Sequence, residues 1–289
     1  MKWLRRLFIT VALLAVAILA AAWFTASSLI HPSNHVVNPP PADLPCEVVS
    51  FHSGSGAEIK GWYLPLEGAH KAALLLHPSG GDRTSMNGYA RFLRKAGYAC
   101  LMIDFRCHGE STGDLRTFGW HESKDAISAV AWLRQKNPTA KVAVIGTSLG
   151  GASALLAKGD LHADAIVAQS VYGDLRKAIW NRVDMRFGSS AADHFSWLLT
   201  CQVPLRLGLN VDDVSPAKAA AFTTCPVLVI QGTEDHHAHI EEGRAIYEPC
   251  PDPRKQWWTV KGAAHVDLLT FAPQEYPKRV LAFLDGVMK

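Results

Sequence analysis

The hydrophobic positions of the chain fall into one long N-terminal run and a series of short runs separated by helix-like stretches. Uninterrupted apolar runs at residues 72–76, 99–103, 142–145, 165–168 and 227–230 predict buried strands, because a parallel sheet covered on both faces needs strands that are apolar throughout. Helices are predicted at residues 89–96, 121–135, 150–158 and 274–288. This alternation predicts an α/β fold with a mostly parallel central sheet and helices on both faces.

Two further segments complete the predicted domain of residues 46–289. Residues 46–51 and 57–64 are strand-like and are joined by Ser-Gly-Ser-Gly, which predicts an antiparallel hairpin. Residues 174–213 lack a strand pattern and carry aromatic and leucine side chains. They predict a small helical cap inserted after the strand that ends near Gln169. Its aromatic residues either cover an apolar substrate pocket or simply pack the cap onto the body.

The N-terminal run predicts a membrane segment. Lys2, Arg5 and Arg6 precede residues 7–24, which are apolar except for Thr10, and about 20 apolar residues suffice for a helix to cross a bilayer. The charges predict a cytoplasmic N-terminus and an extracytoplasmic, periplasmic-side domain. Two alternatives remain: an uncleaved anchor in residues 1–30, or a signal peptide cleaved at the alanines 20–22, which would release the protein. The anchor is favoured because the apolar run continues past those alanines. The Pro-rich residues 31–45 predict an extended spacer.

The net charge and the cysteines bear on three features: nucleic-acid binding, disulfides and metal sites. The net charge is +3, and no basic cluster lies beyond the first six residues, so nucleic-acid binding has no support. Six cysteines in an exported chain permit disulfides whose connectivity the sequence leaves open. Their spacing matches no metal motif. Cys100 lies in an apolar strand and is expected to be a buried core residue.

A strand-to-helix junction carries the first candidate chemistry. The strand at 142–145 leads into Gly-Thr-Ser-Leu-Gly at 146–150, and a small-residue helix follows. A serine on so sharp a turn needs small neighbours two residues away, and the turn exposes its hydroxyl at the carboxyl edge of the sheet. The helix N-terminus favours developing negative charge there. Ser148 is therefore predicted as a nucleophile; the alternative is a tight turn with an incidental serine.

Two later strand ends carry a carboxylate and an imidazole in the order that this arrangement requires. Asp235 follows the strand at 227–230, with Glu234 as its rival, and His265 follows a strand predicted at 256–260. A serine hydroxyl needs a base, and the base needs an orienting carboxylate. His236, His237 and His239 resemble a metal cluster, but no fourth ligand accompanies them, so no metal is predicted.

Stabilising an oxyanion takes two backbone donors. The N–H of Leu149, directly after the nucleophile, is one candidate. The loop His77-Pro78-Ser79-Gly80-Gly81 should supply the other. Because Pro78 has no N–H, Ser79 is the predicted donor and Gly80 the second choice.

With these motifs in place, residues 46–289 resemble the serine-dependent α/β hydrolases, in particular small bacterial esterases, monoacylglycerol-lipase-like enzymes and serine-aminopeptidase-like proteins. The resemblance is carried by residues 77–81, by Asp-Phe-Arg-Cys-His-Gly-Glu-Ser at 104–111, by residues 146–150, and by residues 232–235 with His265. It implies the α/β-hydrolase fold, a triad of Ser148, Asp235 and His265, and no cofactor. Pro78 and Cys107 stand where such proteins usually have glycine.

The expected function is hydrolysis of a lipid-like or small acyl ester through an acyl-enzyme on Ser148. Thioesterase activity is one alternative. Another is a peptidase that captures a free amine with cap carboxylates, for which Asp184, Asp193, Asp212 and Asp213 are available. A non-catalytic binding protein at the membrane is the alternative of another class; a degraded triad would favour it, and the sequence keeps all three residues. The expected partners are a small acyl substrate and the membrane, while the oligomeric state is left open.

Overall fold

The apolar runs form one eight-stranded sheet at the centre of the computed structural model, which describes residues 1–289. In chain order the strands are β1 (Ser33–Asn34), β2 (Glu47–His52), β3 (Glu58–Leu64), β4 (Lys71–Leu76), β5 (Tyr98–Ile103), β6 (His108–Gly109), β7 (Lys141–Thr147), β8 (Ala165–Gln169), β9 (Val227–Gly232) and β10 (Gln256–Val260). The sheet order is β10-β9-β8-β7-β4-β5-β3-β2, and β1 pairs separately with β6. Only the β2–β3 and β3–β5 pairs are antiparallel. The predicted mostly parallel sheet is confirmed.

Helices cover both faces of this sheet. They are α1 (Lys2–Ile30), α2 (Asn87–Lys95), α3 (Glu122–Lys136), α4 (Leu149–Leu156), α5 (Leu175–Phe187), α6 (Ser189–Phe195), α7 (Trp197–Thr200), α8 (Gln202–Leu207), α9 (Pro216–Ala219), α10 (Ile240–Tyr247), α11 (Leu268–Phe271) and α12 (Glu275–Val287). Because side chains alternate along a strand, Leu74 and Leu76 pack with α3 and α4, whereas Leu75 packs with α2 and α12. Helix α10 has no counterpart among the predicted elements.

Helices α5 to α8 occupy the segment predicted as a cap. Leu175 and Ile179 of α5 and Val203 of α8 form a small apolar cluster with Leu156 of α4. All six cysteines are free thiols, and Cys100 is fully buried.

The N-terminal helix α1 stands largely clear of the domain. Its most apolar 18-residue window has a mean hydropathy of 2.6 and no buried residue, and it is the one helix long and apolar enough to cross a membrane. The segment 31–45, predicted as a spacer, is extended but lies against the domain instead of hanging free. Ser33 pairs with His108, and the side chains of Val37 and Leu44 are buried in the core, because burying them removes apolar surface from water.

Candidate active site

Ser148 lies on a strained turn between β7 and α4. Its φ of 51° and ψ of −109° belong to a sparsely populated conformation that costs about 1–3 kcal/mol. A Cβ on Gly146 would overlap the backbone of Gly150, and a Cβ on Gly150 would overlap the backbone oxygen of Leu76 in β4. Packing therefore requires both glycines, and the turn leaves Ser148 lining a cavity.

Asp235 and His265 are hydrogen-bonded to each other. His265 Nδ1 lies 2.8 Å from Asp235 Oδ2, while Asp235 Oδ1 accepts the backbone N–H groups of His237 and Ala238, each at 2.9 Å. Burial alone would raise the pKa of Asp235, but these hydrogen bonds outweigh it and hold the pKa below its ordinary value. The carboxylate is therefore ionised at neutral pH, and it fixes the His265 proton on Nδ1. Glu234, the rival acid, is exposed and accepts only from the Thr233 hydroxyl.

One of the neighbouring histidines, His237, packs against His265. The ring of His237 stacks on that of His265, with centroids 4.7 Å apart and planes 15° apart. Burial and the nearby Arg182 lower the pKa of His237 to about 4, so a neutral ring lies against His265 at neutral pH. The rings of His236 and His239 are 6.0 Å apart, and no group of three or more His, Cys, Asp or Glu side chains is arranged to hold a metal ion.

The loop after β4 orients one candidate oxyanion donor. His77 Nε2 accepts the backbone N–H of Phe105 at 3.0 Å, so its proton lies on Nδ1, which donates to the Pro78 carbonyl at 2.7 Å. The same carbonyl accepts the Gly81 N–H. Because the peptide is planar and trans, the Ser79 N–H points away from these groups, and Ser79 lines the same cavity as Ser148 and Leu149. Leu149 is the first residue of α4, so its N–H has no acceptor within the helix.

Cys107 replaces the usual glycine at a strained position. Its φ is 60° and its side chain is fully buried. This left-handed region costs glycine nothing but is unfavourable for other residues, which explains why glycine is usual there. The Cys107 N–H donates to the Thr112 carbonyl at 3.1 Å, so the loop keeps a defined conformation despite the substitution.

A buried hydrogen-bond chain connects the Ser148 turn to the His265 loop. Gln169 Nε2 donates to the Thr147 hydroxyl and to the Tyr89 hydroxyl, each at 2.6 Å. Tyr89 in turn donates to Asp267 at 2.6 Å. Thr147 directly precedes Ser148, and Asp267 lies two residues after His265. The chain therefore fixes both loops relative to α2. The structure has no hydrogen bond between His265 and the Ser148 hydroxyl.

The cavity at Ser148 is mainly apolar and has a volume of about 180 Å³. Twelve of its eighteen lining residues are hydrophobic. The cap does cover it, but with aliphatic side chains such as Leu175, Ile179 and Val203. No aromatic side chain of the cap lines the cavity. Phe187, Phe195 and Trp197 are exposed, so neither alternative, lining a pocket or packing the cap onto the body, holds for these three.

Three arginines that the sequence did not single out also line the cavity: Arg116, Arg182 and Arg206. Their side chains donate to backbone carbonyls and to the Ser27 hydroxyl. No carboxylate lines the cavity, and the four cap aspartates lie elsewhere. Asp212 pairs with Arg176, and Asp193 accepts from Trp180. No sequence pattern marks the three arginines, since each comes from a different loop or helix.

A comparison with known families places the chain. Residues 52–202, just over half of the chain, match the family model of the X-Pro dipeptidyl-peptidases, the S15 family. The chain belongs to this family. This S15 family member is 25% identical to the uncharacterized protein YfhR of Salmonella typhi, over 83% of this chain and 81% of that protein. It is 26% identical to the uncharacterized protein YqkD of Bacillus subtilis, over 81% and 78% of the two chains.

Solved structures with the same fold are also similar to this chain. The S15 family member is similar to the esterase Pf2001 of Pyrococcus furiosus, with a TM-score of 0.76 and 26% identity over 90% of this chain and 99% of that one. An α/β serine hydrolase without a lid from Xanthomonas campestris has a TM-score of 0.56 and 18% identity over 87% and 98% of the two chains, a likeness of fold alone. The α/β-hydrolase fold and the assignment to serine hydrolases are confirmed.

Proposed function

We propose that the protein is a carboxylic ester hydrolase with a Ser148, His265, Asp235 triad. The observation that carries the proposal is the His265–Asp235 hydrogen bond at the same sheet edge as the strained Ser148 turn. Asp235 keeps the proton on Nδ1, so Nε2 of His265 is free to accept the Ser148 proton. A hydrogen bond of this kind commonly tightens only when substrate binds.

In the proposed reaction, Ser148 Oγ attacks the ester carbonyl while His265 Nε2 takes its proton. The N–H groups of Ser79 and Leu149 stabilise the oxyanion. His265 then protonates the leaving alcohol, which leaves an acyl group on Ser148. Water attacks this acyl-enzyme with His265 again as the base, and the carboxylic acid is released. The same chemistry would hydrolyse a thioester, because only the leaving group differs.

The charge of the cavity favours an ester over a peptide with a free N-terminus. A dipeptidyl-peptidase must bind an ammonium group, which calls for a carboxylate. The cavity has three guanidinium groups and no carboxylate, so a cationic amine is disfavoured there. Membership of the S15 family keeps peptidase activity as the second candidate.

The test compares p-nitrophenyl butyrate with Gly-Pro-p-nitroanilide, together with labelling by a fluorophosphonate probe. We expect ester turnover and labelling in the wild type, neither in Ser148→Ala, and anilide turnover at least about a hundredfold lower than ester turnover. Anilide cleavage without ester cleavage would favour the peptidase. A folded wild type that reacts with no substrate or probe would favour the non-catalytic binding protein.

We also propose that α1 is an uncleaved anchor that holds the domain on the extracytoplasmic side of the membrane. The length and apolar surface of α1 support this, as do the three cations before it, which favour the cytoplasm. Alkaline extraction of membranes and the mass of the purified chain test the proposal. Release of the protein, or a chain that begins after the alanines 20–22, would contradict it.

A further inference from the structure

The C-terminal end of α1 is attached to the catalytic domain by specific contacts. The last four carbonyls of a helix lack intrahelical partners. In α1, Arg116 satisfies two of them: its side chain donates to the Ser28 carbonyl at 2.8 Å and its backbone N–H to the Ile30 carbonyl at 2.9 Å. A cation at this end also complements the helix dipole. The attachment therefore uses groups that the helix must satisfy in any case.

The cap holds α1 from the other side. Arg206 of α8 donates to the Trp23 carbonyl at 3.0 Å and to the Ser27 hydroxyl at 2.8 Å, and its guanidinium lies 3.7 Å from the centroid of the Trp23 ring. Gln202 adds a longer hydrogen bond to the Ala22 carbonyl. All of these contacts lie at or beyond residue 22, whereas the preceding part of α1 is exposed.

The chain after α1 prevents this end from moving far. The Ser33 N–H donates to the Cys107 carbonyl at 2.7 Å. Strand β1, which begins at Ser33, pairs in parallel with β6. Only His31 and Pro32 separate Ile30 from Ser33, so the Cα atoms of Ile30 and Ser33 are three steps apart and at most about 10 Å from each other. The end of α1 is thus held beside the cavity even without its own contacts.

Three side chains of this end line the cavity at Ser148. Ala26, Leu29 and Ile30 line the same cavity as Ser79 and Ser148, and we call them the α1 wall. Ala26 is the one buried residue of α1. An acyl group on Ser148 that extends across the cavity would meet this wall.

Several large apolar side chains are exposed beside the wall. Trp23 and Phe24 lie three and two residues before Ala26 in α1, and the adjoining cap helices expose Trp197 and Leu205. Tryptophan is enriched where a membrane meets water. With residues before Ala22 in a bilayer, this end of the cavity would lie at the membrane surface.

We propose that the α1 wall is part of the substrate site, and that the substrate is a membrane-resident ester whose acyl chain lies against Ala26, Leu29 and Ile30. The proposal rests on the esterase function proposed above. A protein that lost α1 would keep its triad but would lose one side of its acyl pocket.

The first test fills the pocket from the α1 side. In the full-length protein in lipid nanodiscs, we compare Ala26→Trp with Ala21→Trp, the same substitution on the exposed part of α1. Because a cavity of about 150 Å³ holds benzene, an indole would fill most of this one. We expect Ala26→Trp to lower kcat/KM for p-nitrophenyl octanoate relative to acetate by about tenfold or more, the effect of denying a few methylenes their burial. Ala21→Trp should leave the ratio unchanged.

A second test detects the acyl chain directly. In Leu29→Cys, the rate at which maleimide alkylates the introduced thiol is measured by peptide mapping, which separates it from Cys46 and Cys201. Ser148 is first phosphonylated, with loss of fluoride, by an ethyl or an octyl fluorophosphonate. We expect the octyl reagent, but not the ethyl reagent, to slow alkylation at position 29. Neither reagent should slow alkylation of Ser28→Cys, the matched control, because Ser28 is exposed and does not line the cavity.

The outcomes separate the two proposals. A wild type that hydrolyses no ester and reacts with no fluorophosphonate contradicts the esterase function itself. A wild type that reacts, with equal octanoate-to-acetate ratios in both tryptophan variants and no protection at position 29, contradicts the α1 wall and leaves the esterase function standing.

Discussion

The substitution Asp235→Asn tests the proposed triad, because it should change which ring nitrogen of His265 carries the proton. Asp235 Oδ1 accepts two backbone N–H groups, those of His237 and Ala238. In Asp235→Asn the amide oxygen must therefore stay on that side, because an NH₂ group there would face two donors. The NH₂ group is then forced toward His265 Nδ1 and makes that nitrogen an acceptor. The imidazole proton moves to Nε2, where it blocks acceptance of the Ser148 proton.

The expected loss is large. Fixing the wrong tautomer in such a triad lowers kcat by about 10⁴, which corresponds to about 5.5 kcal/mol of transition-state stabilisation. The side chain keeps its shape, so the fold should persist. The assay is p-nitrophenyl butyrate hydrolysis at pH 7.5, with circular dichroism to confirm folding, and Glu234→Gln as the matched control because that carboxylate is exposed. A folded Asp235→Asn enzyme within about tenfold of the wild type would refute the reasoning.

Two further predictions concern stability. Gly150→Ala should prevent folding or lower Tm severely, because the new Cβ would overlap the Leu76 carbonyl oxygen, whereas Gly286→Ala in α12 has open space and should gain up to about 1 kcal/mol of helix propensity; equal Tm values would contradict this. Burial lowers the pKa of His77 to about 3, so between about pH 6.5 and that value the unfolded chain binds more protons. The free energy of unfolding should therefore decrease as the pH falls through this range, and His77→Gln should flatten the dependence in urea titrations at pH 7 and pH 5; an unaltered dependence would count against the buried neutral imidazole.

Removing α1 should change the substrate preference of the protein, because α1 lines part of the cavity. A domain that begins after Ile30 would lack Ala26, Leu29 and Ile30 and would leave Arg116 without its two carbonyl partners. Because we propose that the α1 wall binds the acyl chain, we expect the truncated protein to lose the acyl-length preference of the full chain. Activity measurements intended to define the substrate therefore need the full chain in a bilayer or detergent.

Periodicity and composition suffice for the strands and the glycine turn, because their causes are local. Short continuous apolar runs between turn signals are typical of strands in a sheet that is covered on both faces, and no Cβ fits at Gly146 or Gly150. The sequence also places Asp235 and His265 directly after later strands. Because the carboxyl ends of parallel strands lie at one edge of the sheet, both residues are expected at the same edge as Ser148. Helix α10 was not predicted because its eight residues are too few to display a helical period, and no motif marks its start as the glycine turn marks the start of the equally short α4.

The sequence by itself determined the sheet, the residues at its carboxyl edge and the apolar nature of α1. Only the tertiary structure decided what surrounds Ser148. Arg116, Arg182 and Arg206 come from separate segments, and Ala26 lies more than a hundred residues before Ser148, so no local pattern relates them. The lining of a pocket depends on how distant elements pack against one another, and that packing is a property of the folded chain as a whole.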